Sequence, residues 1–264
     1  MLLCAYLVAC LGAWGLQDSL IYHPSTGSGR DPGDRGIAFE NIELTSADGV
    51  SIHGWYLPAA SDSHNARHIL FLHGNGGRLS HRLYTLETLH GLGHAVLIID
   101  YRGYGLSAGR PSESGLYLDA EAAWAYLVDG RGIAADDVII YGRSLGGAVA
   151  TALAARHRPG GLVLESTFTR LADVGAERYP WLPVRWLLRS KYDSVAHVAK
   201  LRCPLFIAHS PDDDVVPYAL GRALAAQAPS LTAFVDLADS HNRAFQRAGT
   251  GFYQRLDRFI RHQD

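Results

Sequence analysis

Cysteine and metal-ligand spacings are what this chain lacks most plainly. Its three cysteines, Cys4, Cys10 and Cys203, do not make a disulfide framework in 264 residues. Neither CxxC nor HExxH occurs, so no metal-site spacing stands out, and no metal or cofactor is expected. Charge is sparse too, at 19% of residues and a net of −2. That removes the electrostatic case for nucleic acid as a partner, which needs a basic face. Repeats, low-complexity tracts and nucleotide fingerprints are missing. "GSGRDPGDRG", Gly27 to Gly36, is rich in glycine, but no strand precedes it and no helical pattern follows, so it reads as a loop. What is present, 48% hydrophobic residues, is an ordinary globular chain long enough for one large core or two small ones.

The N-terminus departs from that ordinary composition. "MLLCAYLVACLGAWGL", Met1 to Leu16, carries no charged side chain. As a helix it would reach roughly 24 Å, short of the roughly 30 Å hydrocarbon core of a bilayer. A secretory signal wants basic residues ahead of its apolar run, and this one has none. "LVAC", Leu7 to Cys10, resembles a lipoprotein cleavage box but lies early and lacks the same basic residues. The reading is a membrane anchor over residues 1–22, extended through Leu20, Ile21 and Tyr22, with the side of the membrane left open. On this reading, deleting Met1 to Gln17 leaves a soluble, folded domain.

Beyond the anchor, strand and helix alternate. "NIELTSADGVSIHGWYLPA" places Asp48-Gly49 between two alternating runs, a hairpin signal. "HILFLHG" (His68 to Gly74) and "AVLIID" (Ala95 to Asp100) are continuous apolar runs of the kind buried parallel strands require. Helical spacing appears over Ser80 to Leu92 and Glu113 to Val128. Further strands are expected at Val138 to Gly142, Gly161 to Thr167, Pro204 to Ser210 and Leu231 to Leu237. An antiparallel hairpin followed by strand–helix units predicts an α/β fold, a mostly parallel sheet with helices on both faces, over residues 36–264.

Such sheets place ligands at the carboxyl ends of their strands. In "VIIYGRSLGGAVATALAAR", Val138 to Arg156, a strand runs into Gly-x-Ser-x-Gly and then a helix, the setting in which that motif holds a nucleophile out on a tight turn. Ser144 is therefore the candidate nucleophile. On the same sheet edge fall "HGNGG" (His73 to Gly77), "PDDDVVP" (Pro211 to Pro217) and "LADSHNRAF", which carries His241. A serine, an aspartate and a histidine in that order are what an acyl-transfer triad needs. The two amides for an oxyanion would come from Leu145 and from Asn75 or Gly76. Asp212, Asp213 and Asp214 compete for the acid, with Glu165 a further position from which one could come. His73 and His209 compete with His241, and read better as an oxyanion-loop residue and a loop brace. Asp100 and Arg102 of "DYRGYG" read as a buried charge pair or hydrogen-bond brace under the site.

These segments, together with "QDSLIYHP", "IDYRGYGLSAGRPSESGLYLDAEAAWAYL", "LESTFT" and "YPWLPVRWLLRSKYDS", resemble the alpha/beta hydrolase superfamily from about Gln17 onward. Within it, the likeness is to small-lid, membrane-tethered serine hydrolases, the group that includes protein depalmitoylases. The resemblance implies an alpha/beta hydrolase fold with a lid inserted at about residues 169–201, Asp213 as acid and His241 as base. One departure is His209-Ser210, where relatives often have His-Gly at the end of the strand carrying the acid.

"YPWLPVRWLL" gathers apolar side chains in that lid, and its two prolines keep it from being one regular helix. Trp181, Leu182, Trp186 and Leu187 are the expected wall of an acyl site over Ser144. The function expected is hydrolysis of a carboxylic ester or thioester, lipid-like or small, through an acyl-enzyme on Ser144. An amide hydrolase or acyltransferase would use the same triad. A non-catalytic membrane-bound interaction module is the reading from a different class, disfavoured by an intact Ser, acid and His.

Overall fold

The computed structural model describes residues 1–60 and 65–262. Eight strands form the main sheet: β1 (Glu40–Thr45), β2 (Ser51–Leu57), β3 (His68–Leu72), β4 (Ala95–Ile99), β5 (Val138–Arg143), β6 (Gly161–Glu165), β7 (Leu205–His209) and β8 (Leu231–Asp236). Their order is β1-β2-β4-β3-β5-β6-β7-β8. The β1–β2 hairpin turns at Asp48-Gly49, where Gly49 takes a positive φ of 82°. It joins β4 antiparallel, and every later pairing is parallel. The alpha/beta fold expected from the sequence is the one observed.

Side-chain alternation along the buried strands divides the core. From β3, Leu70 and Leu72 enter one apolar cluster while Ile69 and Phe71 enter the other. The first cluster packs beneath α3 (Glu113–Ala125) and α4 (Leu145–Arg156). The second packs beneath α2 (Leu83–Gly91) and α8 (Gly249–Ile260), whose Phe252, Leu256, Phe259 and Ile260 recur at helical spacing. Helix α4 is buried from Leu145 through Ala154, and its run of Gly and Ala lets it lie close on the sheet.

The segment between β6 and β7, expected as a lid, holds α5 (Leu171–Arg178), α6 (Val184–Leu187) and α7 (Ser194–Val198). Pro180 and Pro183 separate α5 from α6, as the sequence predicts. The expected helix over Glu113–Val128 ends as α3 at Ala125 and runs on into a wider turn over Tyr126–Gly130.

The N-terminal segment forms α1 (Leu2–Ile21), 20 residues and so about 30 Å long. It is long and apolar enough to cross a membrane. Most of its apolar side chains are exposed, but Gln17 and Ile21 are buried. The sequence reading takes residues 1–22 as an anchor, and the helix also makes polar contacts with residues 181–189. The Gln17 Oε1 accepts from the Arg189 backbone N–H at 2.7 Å, and the Tyr6 hydroxyl donates to the Trp181 carbonyl at 3.2 Å. The Arg189 guanidinium pairs with Asp18 at 3.2 Å. An unpaired amide would make Gln17 costly inside an apolar helix, and the lid supplies its partner.

Candidate active site

Ser144 stands between β5 and α4 at φ 54° and ψ −121°. A non-glycine residue at positive φ costs on the order of 1–3 kcal/mol, so the surroundings must hold it there. They do so through its backbone: the Ser144 N–H donates to the Glu165 carbonyl at 2.9 Å, and its carbonyl accepts from Gly147 N–H at 2.9 Å and the Thr167 hydroxyl at 2.8 Å. The flanking glycines are steric necessities. A Cβ at Gly146 would lie 2.1 Å from the Leu72 carbonyl oxygen, and one at Gly142 2.5 Å from that of Gly146.

Leu145 opens α4, so its N–H has no acceptor within the helix and faces the strand edge with the positive end of the helix dipole. Asn75 is fixed from three sides. Its carbonyl accepts from His23 N–H at 3.0 Å and from the Tyr104 hydroxyl at 2.7 Å, and its side-chain amide donates to the Ile21 carbonyl at 2.8 Å. The end of α1 thus holds the loop expected to bear the second oxyanion donor.

The aspartate triplet separates by burial. Asp212 and Asp214 are exposed, whereas the Asp213 carboxylate is fully buried. Its Oδ1 accepts from the backbone N–H groups of Val215 at 2.9 Å and Val216 at 2.7 Å, and its Oδ2 lies 2.7 Å from His241 Nδ1. His209 Nε2 approaches the same oxygen at 3.2 Å and the Val216 carbonyl at 3.0 Å. Burial by itself would raise the Asp213 pKa. Hydrogen bonds from His209 and His241, with the His241 charge and the Val216 amide, outweigh it and hold the group well below the usual carboxylate range. Asp214 holds the backbone instead, accepting from His241 N–H at 3.0 Å. Ser210, the departure from the His-Gly pattern, ties the two loops together: its hydroxyl donates to the Asp239 carbonyl at 2.5 Å and accepts from Asp212 N–H at 3.1 Å.

Glu165 is occupied elsewhere. It accepts from the Tyr141 hydroxyl at 2.7 Å and pairs with Arg143 Nε at 3.0 Å. Arg143, which the sequence reading passed over, also donates to the His241 carbonyl at 2.7 Å and so spans the serine and histidine loops. The signal was a long cation at the end of a buried strand, which needs a buried counter-charge. Arg102 does not pair with Asp100. It bridges Asp48 at 2.6 Å and Asp119 at 2.8 Å, locking the hairpin to α3, while Asp100 accepts from Leu79 N–H at 3.0 Å.

His73 is fully buried against the rings of Tyr101 and Tyr104, with Nδ1 donating to the Gly74 carbonyl at 2.7 Å. Burial, with the nearby Arg82 charge, pushes its pKa down to about 4. Its contribution to stability is therefore complete above the unfolded value of about 6.5 and is lost as pH falls through 4, worth about 3 kcal/mol. Thermal melts of the unmodified protein and His73→Gln between pH 7 and 4 check this: the variant should show the shallower fall in Tm. Equal slopes would show that His73 does not titrate in this way.

Over Ser144 lies a cavity of about 570 Å³. Trp181, Leu182 and Leu187 line it, together with Phe168, Leu171, Val174 and Val216. Trp186 does not: it stands 91% exposed and outside the lining, because the short α6 turns only its Val184 and Leu187 side inward. Among the described residues, Arg178 and Asp214 are the only Asp, Glu, Lys or Arg side chains in the lining, and no cluster of three or more His, Cys, Asp or Glu is placed to hold a metal ion.

Residues 63–192 match the family described as serine aminopeptidase, S33. The alpha/beta hydrolase domain-containing protein WAV2 of Arabidopsis thaliana is 30% identical over 222 residues, covering 76% of this chain and 72% of that one. The lysophosphatidylserine lipase ABHD12 of Macaca fascicularis is 36% identical over 202 residues, 69% of this chain but only 50% of that protein. Among solved structures, an esterase of Pyrococcus furiosus superposes with a TM-score of 0.74 at 19% identity, covering 92% of this chain and 98% of the other. With the strand order, the strained serine turn and these relatives together, the chain belongs to the alpha/beta hydrolase superfamily.

Proposed function

We propose that this hydrolase cleaves carboxylic esters or thioesters of lipid-like acyl groups, with Ser144, His241 and Asp213 as its triad. The observation that carries the reading is the buried Asp213–His241 pair, 2.7 Å apart, on the sheet edge where Ser144 is held at positive φ beneath an apolar cavity. The Ser144 Oγ attacks the acyl carbonyl carbon while His241 Nε2 takes its proton. Asp213 fixes the tautomer and stabilises the imidazolium. The oxyanion is met by the N–H groups of Leu145 and Asn75. His241 then protonates the departing alcohol or thiol, leaving an ester on Ser144, and a water activated by the same histidine releases the acid.

The apolar lining favours an acyl chain over a peptide, although the matching family takes its description from an aminopeptidase. The name of the ABHD12 relative, a lysophosphatidylserine lipase, points the same way. Helix α1 is read as a membrane anchor, and the exposed Trp181 and Trp186 on the lid suit the bilayer interface.

The test is labelling with a fluorophosphonate probe and a screen of p-nitrophenyl esters from acetate to palmitate, on protein recovered from fractionated cells. Labelling, faster hydrolysis of the longer esters and recovery in the membrane fraction are expected. A chain that resists the probe and cleaves no ester is not a serine esterase, and one found wholly in the soluble fraction is not anchored.

A further inference from the structure

Resting on that hydrolase reading, we infer that α1 is a wall of the acyl site as well as an anchor, and that Gly12 sets how long a chain the site accepts. The cavity beginning at Ser144 continues along one face of the helix. Ala9, Gly12, Ala13, Leu16, Leu20 and Ile21 line it, a spacing of three and four that places them on a single stripe. The stripe runs about 18 Å along the axis. Opposite stand lid side chains including Leu182, Val184 and Leu187. A volume of about 570 Å³ is within the ordinary range for a small-molecule site.

Two features show that the helix is seated there and not merely nearby. Gln17, the polar residue on the stripe, is bound to the lid backbone, and the Ile21 carbonyl is bound to the side chain of Asn75. The last turn of the wall is therefore linked both to the lid and to the loop beside Ser144. Leu16 and Leu20 line the cavity yet remain 63% and 58% exposed, so the cavity is open along the flank of α1. An apolar opening beside a helix long enough to cross a bilayer admits an acyl chain from the lipid, with the ester group at the Ser144 end.

Gly12 lies on the lining and has nothing within 4 Å of where a Cβ would stand, so a large side chain there enters the cavity. Gly15 is equally free of neighbours but lies outside the lining, which makes it a matched control. The experiment compares the full-length protein, Gly12→Phe and Gly15→Phe in phosphatidylcholine vesicles, reading the ratio of kcat/KM for p-nitrophenyl dodecanoate to that for the acetate. Gly12→Phe should lower the ratio at least about tenfold, since several buried methylenes lose their place, and Gly15→Phe should leave it unchanged. The same three chains carrying Ser144→Ala are photolabelled with a diazirine-bearing palmitic acid. Labelling of α1 and lid peptides should be lost only with Gly12→Phe. Active esterases with one chain-length profile in both glycine variants would overturn the inference while leaving the hydrolase reading intact. If no chain cleaves any ester, the hydrolase reading falls, and the photolabelling alone decides whether α1 lines an acyl site.

Discussion

Ser144→Ala is expected to abolish fluorophosphonate labelling and to lower ester hydrolysis by on the order of 10⁴ to 10⁶. The size of the loss follows from what the hydroxyl does. Without it there is no acyl-enzyme, and only the oxyanion amides and substrate binding remain to assist water. The variant should fold normally. The turn is held by the Ser144 backbone, through Glu165, Gly147 and Thr167, and by the flanking glycines, none of which the substitution touches. Alanine at φ 54° bears much the same strain as serine. The measurement pairs turnover with a thermal melt: a collapsed rate at an unchanged Tm assigns the loss to chemistry. Normal labelling of the variant would move the nucleophile elsewhere.

Asp213→Asn is expected to slow hydrolysis by roughly 10⁴ in a protein that still folds. An asparagine amide can donate to His241 Nδ1, which drives the ring proton to Nε2, facing the serine it should deprotonate. Oδ1 can still accept from the Val215 and Val216 amides, so the loop keeps its main supports. Losing the charge also removes a pH dependence. The Asp213 carboxylate, held below its ordinary range, contributes stability above a pH of about 4 that disappears as pH falls toward its folded value, and asparagine has no such contribution. Asp212→Asn and Asp214→Asn should cost far less, because Asp212 is exposed and Asp214 holds only the His241 backbone. If Asp212→Asn or Glu165→Gln is the severe variant, the acid is there instead. The Glu165 carboxylate already serves Tyr141 and Arg143, which argues against that outcome.

Much of the fold was legible in the sequence because its signals are local. Continuous apolar runs at His68–Leu72 and Ala95–Ile99 mark strands buried on both faces whatever their neighbours are. The serine turn was readable for the same reason. A strand, two glycines and a helix within Val138–Arg156 already define its backbone, and no distant residue is needed to see it. Helix limits were less exact where a chain end is decided by packing, as at Ala125, where α3 widens into the turn over Tyr126–Gly130.

The sequence by itself determined the alternation of elements, the strand edge that carries the site, and Ser144 and His241 as its candidates. The resemblance already pointed to Asp213 among the three aspartates; what only the tertiary structure shows is that its carboxylate is the one buried against His209 and His241. The tertiary structure also turned Trp186 outward, bound Arg102 to Asp48 and Asp119, and set Arg143 between Glu165 and His241. The element whose contacts were least legible is α1. Its composition reports only that it is apolar, a property equally served by lipid and by a cavity wall. Which face meets which is settled by backbone groups more than 150 positions away, at Trp181 and Arg189, and no local pattern encodes a partner at that distance.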